Sequence, residues 1–250
     1  MQTIIAGRNP VIEALKAGTP IEKILMLKGI HGEGIEMVLA MAEKKGIKIE
    51  TLDKNEFRQI APDVTAQGIV AVVPPKKLVG LEEIMATAAG RNEKGFILIL
   101  DEIEDPQNLG ALVRTAECAG VHGVVLPKHH AAPVTGAAVK ASAGATAHMA
   151  MAEVTNIVNA LETLKSAGYW IVGLDTAGEK TYTEADYTSP VGIVVGNEGK
   201  GIRRLVKEHC DHLVKIPLYG KIASLNASVA GALVLYEVVK QRYRSGPRSA

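Results

Sequence analysis

Four short stretches hold most of the residues that could do chemistry: "DEIEDPQNLG" from Asp101, "GLDTAG" from Gly173, "GNEGKG" from Gly196 and "IPLYGKIASLN" from Ile216. Each follows an apolar run and mixes glycine with carboxylate, carboxamide, hydroxyl or lysine side chains. Carboxamides can position a hydroxyl, a carboxylate can orient a donor, and glycine lets backbone come close to a ligand. The third stretch is the densest, with an apolar run, a Gly-rich turn and a basic helix start, which are also the parts of a phosphate cradle. Its spacing argues against that use. A P-loop needs G-x-x-x-x-G-K followed by Ser or Thr to ligate magnesium. Here Gly201 stands in the hydroxyl's place after Lys200, the dinucleotide G-x-G-x-x-G spacing is missing, and Glu198 would repel a polyphosphate.

The elements that must carry these loops alternate. "FILIL", "VHGVVLP", "YWIVGLD", "VGIVVG" and "HLVKIPL" read as strands. Asn108 is the expected cap of a helix ending near Ala119 at Gly120, Thr155 the cap of a helix stopping at Gly168, and Ser224 the cap of the final helix. Strands alternating with helices imply an α/β fold with a parallel sheet covered on both faces. Ligands in such sheets bind on the loops beyond the carboxyl ends of the strands, where all four stretches lie.

Residues 1–74 form a smaller α/β unit by the same signals. Asn9 caps a helix with Pro10 at its first position and Gly18 past its end, "GEGIEMVLAMAEKKG" is an amphipathic helix closed by Gly46, and "EKILML", "IKIETL" and "QGIVAVVPP" are strands. Residues 75–94 read as a linker with a short helical patch, and 95–250 as the larger unit.

Composition excludes several classes. Net charge is +1 and aromatics make up 4%, so neither bulk charge nor a wide base-stacking platform announces nucleic acid. Two distant cysteines give no disulfide framework, and no apolar run reaches the roughly 20 residues of a membrane span, so the cytoplasm is the expected compartment. "EHCDH" at Glu208 to His212 lacks the second Cys/His pair of a zinc site, so no metal is expected. Cys118 reads as a core residue of its helix.

Three stretches taken in order, "DPQNLGALVRTAECAGV", "IVVGNEGKGIRRL" and "IPLYGKIASLNASVAGALVLYE", resemble the three motifs of the SpoU (TrmH) class of RNA ribose 2′-O-methyltransferases in the SPOUT superfamily. The resemblance covers nearly the whole chain, because residues 1–74 look like the L30e-like RNA-binding domain of members acting on 23S rRNA. It implies a SPOUT α/β knot, a deep trefoil, in the catalytic domain. It also implies S-adenosylmethionine as cofactor, a homodimer with the active site at its interface, and a 23S rRNA guanosine as substrate.

Carried over by position, the resemblance puts Asn108, Arg114, Glu198, Ser224 and Asn226 in the catalytic site. Leu174, Asp175, Thr176, Gly196, Asn197, Gly201, Ile216, Leu218, Ser224 and Leu225 would hold the cofactor, with the loop glycines admitting adenosine to the backbone. Arg8, Asn9, Gln67 and Gly68 are the RNA contacts; where relatives commonly have histidine before the Gln-Gly pair, this chain has Ala66. A guanidinium stays protonated, so Arg114 fits a phosphate clamp and alkoxide stabiliser better than a general base. Glu198 orients Arg114 or a loop amide, or is a turn carboxylate. The rivals are a tRNA ribose methyltransferase, a resistance-conferring rRNA methyltransferase, and a non-catalytic ribosome-assembly factor on the same fold.

Overall fold

Strand and helix alternate from the start of the computed structural model, which describes residues 3–61 and 67–242. The first unit holds β1 (Thr3–Ala6), α1 (Arg8–Lys16), β2 (Lys23–Leu27), α2 (Glu33–Lys44), β3 (Lys48–Leu52), α3 (Lys54–Ile60) and β4 (Ile69–Val73). Its sheet runs β1-β4-β2-β3, with β4 antiparallel to both neighbours and β2 parallel to β3. All five β4 residues are buried, as the unbroken apolar run requires of a central strand. Helices α1 and α2 cover one face through Val11, Leu15, Ile35 and Val38, and Phe57 of α3 covers the other.

Asn9 is not the cap of α1. Gly7 takes that position at φ 102°, ψ 153°, a conformation open to glycine and strained for asparagine, and a Cβ there would lie 2.4 Å from Gln67 Oε1. Asn9 is left exposed in the first turn.

The second unit begins inside the stretch expected as a linker. There α4 (Leu81–Gly90) buries Leu81, Ile84 and Ala88 against the larger sheet, and Val79 bridges to Ala152. The sheet is built from β5 (Phe96–Asp101), β6 (Gly123–Pro127), β7 (Met151–Val154), β8 (Trp170–Leu174), β9 (Lys180–Thr181), β10 (Val191–Gly196) and β11 (His212–Lys215). Its order is β7-β6-β5-β10-β8-β11-β9, and every pairing is parallel. The remaining helices are α5 (Pro106–Cys118), α6 (Gly136–Ala141), α7 (Ala145–His148), α8 (Ile157–Ser166), α9 (Arg204–Glu208) and α10 (Ala227–Arg242). On one face α5 and α10 pack against Leu98, Leu100, Val172 and Val195; α4, α8 and α9 cover the other through Leu161, Leu164 and Val206.

Helix α6 joins the two units. It runs so close to β1 that a Cβ at Gly136 would lie 1.5 Å from the Ile4 carbonyl oxygen, and Val139 completes the first unit's core. Cys118, expected in the core, is exposed, because the buried face of α5 is Leu109, Leu112, Val113 and Ala116 and Cys118 lies about 200° round from Ala116. Ala66 and the chain beyond Arg242 lie outside the described residues. Among those described, no helix is long and apolar enough to cross a membrane.

Where β5 begins, buried His122 accepts from Phe96 N–H through Nδ1 at 3.1 Å and meets Glu93 Oε2 through Nε2 at 2.9 Å. Burial pulls its pKa below the ordinary 6.5, outweighing the opposing pull of Glu93. Protonation would put a hydrogen on Nδ1 facing the Phe96 donor. The folded state therefore binds fewer protons than the unfolded one, and this group's contribution is full above about pH 6.5 and lost as pH falls below it. Urea midpoints taken at pH 7.5 and 5.5 should fall toward acid, with a smaller fall in His122→Gln.

Candidate active site

The loops after β5, β8, β10 and β11 meet at one end of the sheet, and three helix caps decide where their side chains point. Asp105, not Asn108, caps α5, accepting from the N–H groups of Gln107 and Asn108 at 3.1 and 3.2 Å with Pro106 at the first position. Asn108 thus sits in the first turn with its side chain available. Asn226, not Ser224, caps α10; its Oδ1 accepts from Ser228 N and Val229 N at 3.0 and 3.3 Å. The same substitution of one polar neighbour for another occurs at α8, where Asn156 rather than Thr155 accepts from Asn159 N.

These caps free three side chains to meet. Asn226 Nδ2 donates to Asn108 Oδ1 at 2.8 Å and to Glu198 Oε2 at 3.2 Å, and Asn108 Nδ2 donates to the same Glu198 oxygen at 3.3 Å. One residue from each of three loops closes the triangle. Two neutral amides therefore hold a single carboxylate, and its second oxygen takes no part in these bonds.

Beside the triangle lies a cavity of about 410 Å³, inside the range typical of small-molecule sites. All ten residues expected at the cofactor line it: Leu174, Asp175, Thr176, Gly196, Asn197, Gly201, Ile216, Leu218, Ser224 and Leu225. Leu174, Val195, Ile216, Leu225 and Ala227 make apolar walls, while Asp175, Glu198, Lys200 and Lys207 bring charges of both signs. That mixture suits a ligand with an aromatic base at one end and a zwitterionic amino acid at the other. Lys207, which the sequence did not single out, pairs with Asp175 at 2.7 Å across the wall.

The glycines of "GNEGKG" serve the loop itself. Asn197 and Gly201 exchange backbone hydrogen bonds at 3.0 and 2.8 Å, folding the chain back until a Cβ at Gly196 would lie 2.3 Å from the Gly201 carbonyl carbon. Gly201 itself sits at φ 70°. The Asn197 side chain is likewise spent on structure, donating to Glu102 O at 3.0 Å and accepting from Gly199 N and Lys200 N. Glu102 is held at φ 59°, a left-handed conformation that costs a non-glycine residue roughly 1–2 kcal/mol.

Asp101, fully buried at the end of β5, anchors the far side of this loop. It accepts from Arg203 N and Nε at 2.8 Å each, and Arg203 Nη2 lies 2.6 Å from its Oδ1. The pair spans 102 positions in the chain, and an acidic strand end followed much later by an Arg-Arg step was its only trace in sequence. Arg204 is turned to Glu208 at 2.6 Å.

Arg114 is not drawn into the triangle. It lies exposed on α5, beside Ala111 and Thr115, which line a groove of about 690 Å³ between α5 and α10. Ser224 lines the cavity and is exposed. Of the expected RNA contacts, Arg8 donates its backbone N–H to Gln67 Oε1 at 2.8 Å and is half-buried, and Asn9 is exposed. Gly68, at φ 61°, packs against Ile30 and Leu27, so its requirement is conformational.

Small residues at the start of α10 divide their work. Gly231 packs against Leu112 and Val195, Ala230 faces the cavity, and Ala232 faces the α5–α10 groove. Cys210 is half-buried and desolvation pushes its thiol up to about 12, while His212 stacks on Trp170 with ring centroids 5.6 Å apart. Among the described residues no group of His, Cys, Asp and Glu could hold a metal ion.

Comparison with known proteins agrees with the fold. The SpoU rRNA Methylase family matches residues 95–236, and the family described as RNA 2′-O ribose methyltransferase substrate binding matches residues 4–79. A Bacillus subtilis (strain 168) protein assigned to the TrmH family of tRNA/rRNA methyltransferases, YacO, is 41% identical over 238 residues, 95% of each chain. An AdoMet-bound rRNA methyltransferase from Sinorhizobium meliloti superposes with a TM-score of 0.71 at 25% identity, covering 97% of this chain and 88% of that one. The TrmH/SpoU tRNA modifying enzyme of A. aeolicus superposes with a TM-score of 0.55 at 29% identity, covering 66% of this chain and 85% of that one.

Fold and site together define a SPOUT-type α/β methyltransferase unit preceded by a substrate-binding unit. The chain belongs to the SpoU rRNA methylase family, also called the TrmH family of tRNA/rRNA methyltransferases.

Proposed function

We propose that the protein transfers a methyl group from S-adenosylmethionine to the ribose 2′-hydroxyl of a guanosine in 23S rRNA, in the cytoplasm, as a homodimer with its active site at the subunit interface. The observation that carries this reading is the convergence of Asn108, Glu198 and Asn226 beside the cavity lined by the four loops. The family's trefoil knot, and a division into a substrate-binding unit at residues 1–74 and a catalytic unit from 95, onto which α4 of the connection at 75–94 packs, belong to the same proposal. The matched spans 4–79 and 95–236 support that division.

When bound, S-adenosylmethionine supplies an electrophilic methyl on a sulfonium centre. The apolar walls from Leu174, Ile216, Leu218 and Leu225 would take its adenine, with backbone groups of these loops at the ring's edge. Asp175 with Lys207, and Ser224, would take its polar ends. The triangle then positions the acceptor. Glu198 fixes both amides, and its second oxygen accepts the hydrogen bond of the 2′-hydroxyl and takes its proton as the 2′-oxygen gains the methyl that the sulfonium loses, so that alignment supplies most of the acceleration. Arg114 grips the neighbouring phosphate and stabilises charge growing on the 2′-oxygen. Arg8 and Asn9 hold RNA on the first unit.

The exposed apolar side chains Val229, Leu233 and Tyr236, 49%, 38% and 50% accessible along the α5–α10 groove, support the homodimer. Coverage supports rRNA as the target, since the rRNA methyltransferase matches 97% of the chain and the tRNA modifying enzyme 66%. The 29% identity of the latter favours tRNA as the second reading.

Labelled S-adenosylmethionine incubated with the protein and separated rRNA and tRNA should place label on one 23S rRNA guanosine, recovered after nuclease digestion as 2′-O-methylguanosine. Label in tRNA alone would move the substrate to the second reading. RNA binding without label in any fraction would leave a non-catalytic assembly factor.

A further inference from the structure

Residues 216 to 226 connect β11 to α10, and the outer side chains of their middle part have no work in the fold. Tyr219 is 97% exposed and Ile222 77%, the two most solvent-open large apolar side chains among the described residues, with Lys221 exposed between them. The residues on either side of this trio, Leu218 and Ala223, both line the cavity. The loop therefore rims the cavity mouth, and it presents an aromatic ring and a cation outward.

In a chain with 4% aromatic residues, a tyrosine left in water at that rim is an unexplained expense of apolar surface. We propose that Tyr219 stacks on an unstacked nucleobase, that of the target nucleotide or its immediate neighbour, with Lys221 beside the adjoining phosphate. This rests on the reading of the site as an RNA ribose methyltransferase and deepens it. A ribose aligned at Asn108, Glu198 and Asn226 carries its base and the next nucleotide over the cavity mouth. Single-stranded RNA is held by such pairings of aromatic face and cation, whichever base is presented. A second copy of the chain is the other partner this loop could meet, but the apolar surface suited to it runs along the α5–α10 groove.

The test uses the full chain and a transcript of 23S rRNA made without modification. Tyr219→Ala should raise KM for the transcript about tenfold while kcat changes less than about threefold, and Tyr219→Phe should restore KM, because the ring and not the hydroxyl makes the contact. S-adenosylmethionine affinity by calorimetry and mass by sedimentation should match wild type in both variants. A wild-type KM in Tyr219→Ala overturns the proposal, and so does a changed sedimentation or a fall in cofactor affinity that accounts for the loss. If the wild type methylates no RNA, the functional reading fails by itself. Gel-shift titration with the same transcript then decides the stacking, supported by weaker binding in Tyr219→Ala alone and overturned by equal binding in all three proteins.

Discussion

Arg114→Ala lowers methyl transfer about 10²–10³-fold and leaves S-adenosylmethionine affinity within about twofold of wild type, the size of effect seen when one preorganised donor to a developing oxyanion is removed. The cofactor arm follows from position: Arg114 is exposed on α5 and is absent from the cavity wall. The rate arm follows from chemistry. A guanidinium cannot serve as a base, and its paired donors match a phosphate edge, so Arg114→Lys should recover only part of the loss. A fall in cofactor affinity in Arg114→Ala would assign the side chain to the cofactor instead.

Subunit mixing separates the two places from which Arg114 could act. Asn226→Asp keeps the acceptor that caps α10 but loses the amide donor to Asn108 and Glu198, giving an inactive partner with an intact helix start. Mixed with Arg114→Ala, it should restore transfer to about a quarter of wild type if the arginine serves the other subunit, because random pairing makes half the dimers mixed and each mixed dimer holds one complete site. No recovery would place Arg114 in the site of its own chain.

The loops that form the site were legible because parallel sheets put binding residues beyond strand ends, and the apolar runs before each loop were unambiguous. The caps were not. Asn9, Asn108, Thr155 and Ser224 all stand within three residues of the true caps Gly7, Asp105, Asn156 and Asn226, and every helix start offered more than one residue able to cap. Composition names the candidates; backbone dihedrals choose among them. That choice matters for function, since moving the cap from Asn108 to Asp105 is what frees Asn108 for the triangle. Helices α6 and α7 were illegible for another reason. "TGAAVKASAGATAH" buries alanine and glycine, whose small side chains give no clear apolar stripe, yet Gly136 allows the closest approach at any glycine among the described residues, and Gly110 lets α5 pack on Ala138 and Ala141. The glycines of "GNEGKG" were legible as a backbone requirement; that Gly196 and Gly201 also serve the loop's own return, while lining the cavity, was not.

Arg203→Ala should destabilise the fold by about 2–3 kcal/mol, somewhat less than the roughly 3–5 kcal/mol that removing one partner of a fully buried ion pair costs. Asp101 is fully buried and keeps only the backbone N–H of residue 203 after the change, so its charge stays in the interior with one hydrogen bond in place of several contacts. The value falls short of the full range because Arg203 is 43% exposed, and water can enter where the guanidinium was. For a chain of this length the melting temperature drops by about 5–10 °C, read by calorimetry or thermal circular dichroism. The loss should reach the site as well. Arg203 ties the exit of the Gly196–Gly201 loop to the end of β5 and also lies 3.6 Å from Glu102, the strained residue that Asn197 holds. Loosening that corner should weaken S-adenosylmethionine binding about tenfold, an effect that Arg204→Ala, whose partner is the exposed Glu208, should lack. Adding Asp101→Asn to Arg203→Ala removes the buried charge while keeping an acceptor for the backbone N–H, and should return at least half of the lost stability. Failure of that rescue would mean that Arg203 stabilises the corner by packing, with the ion pair contributing little.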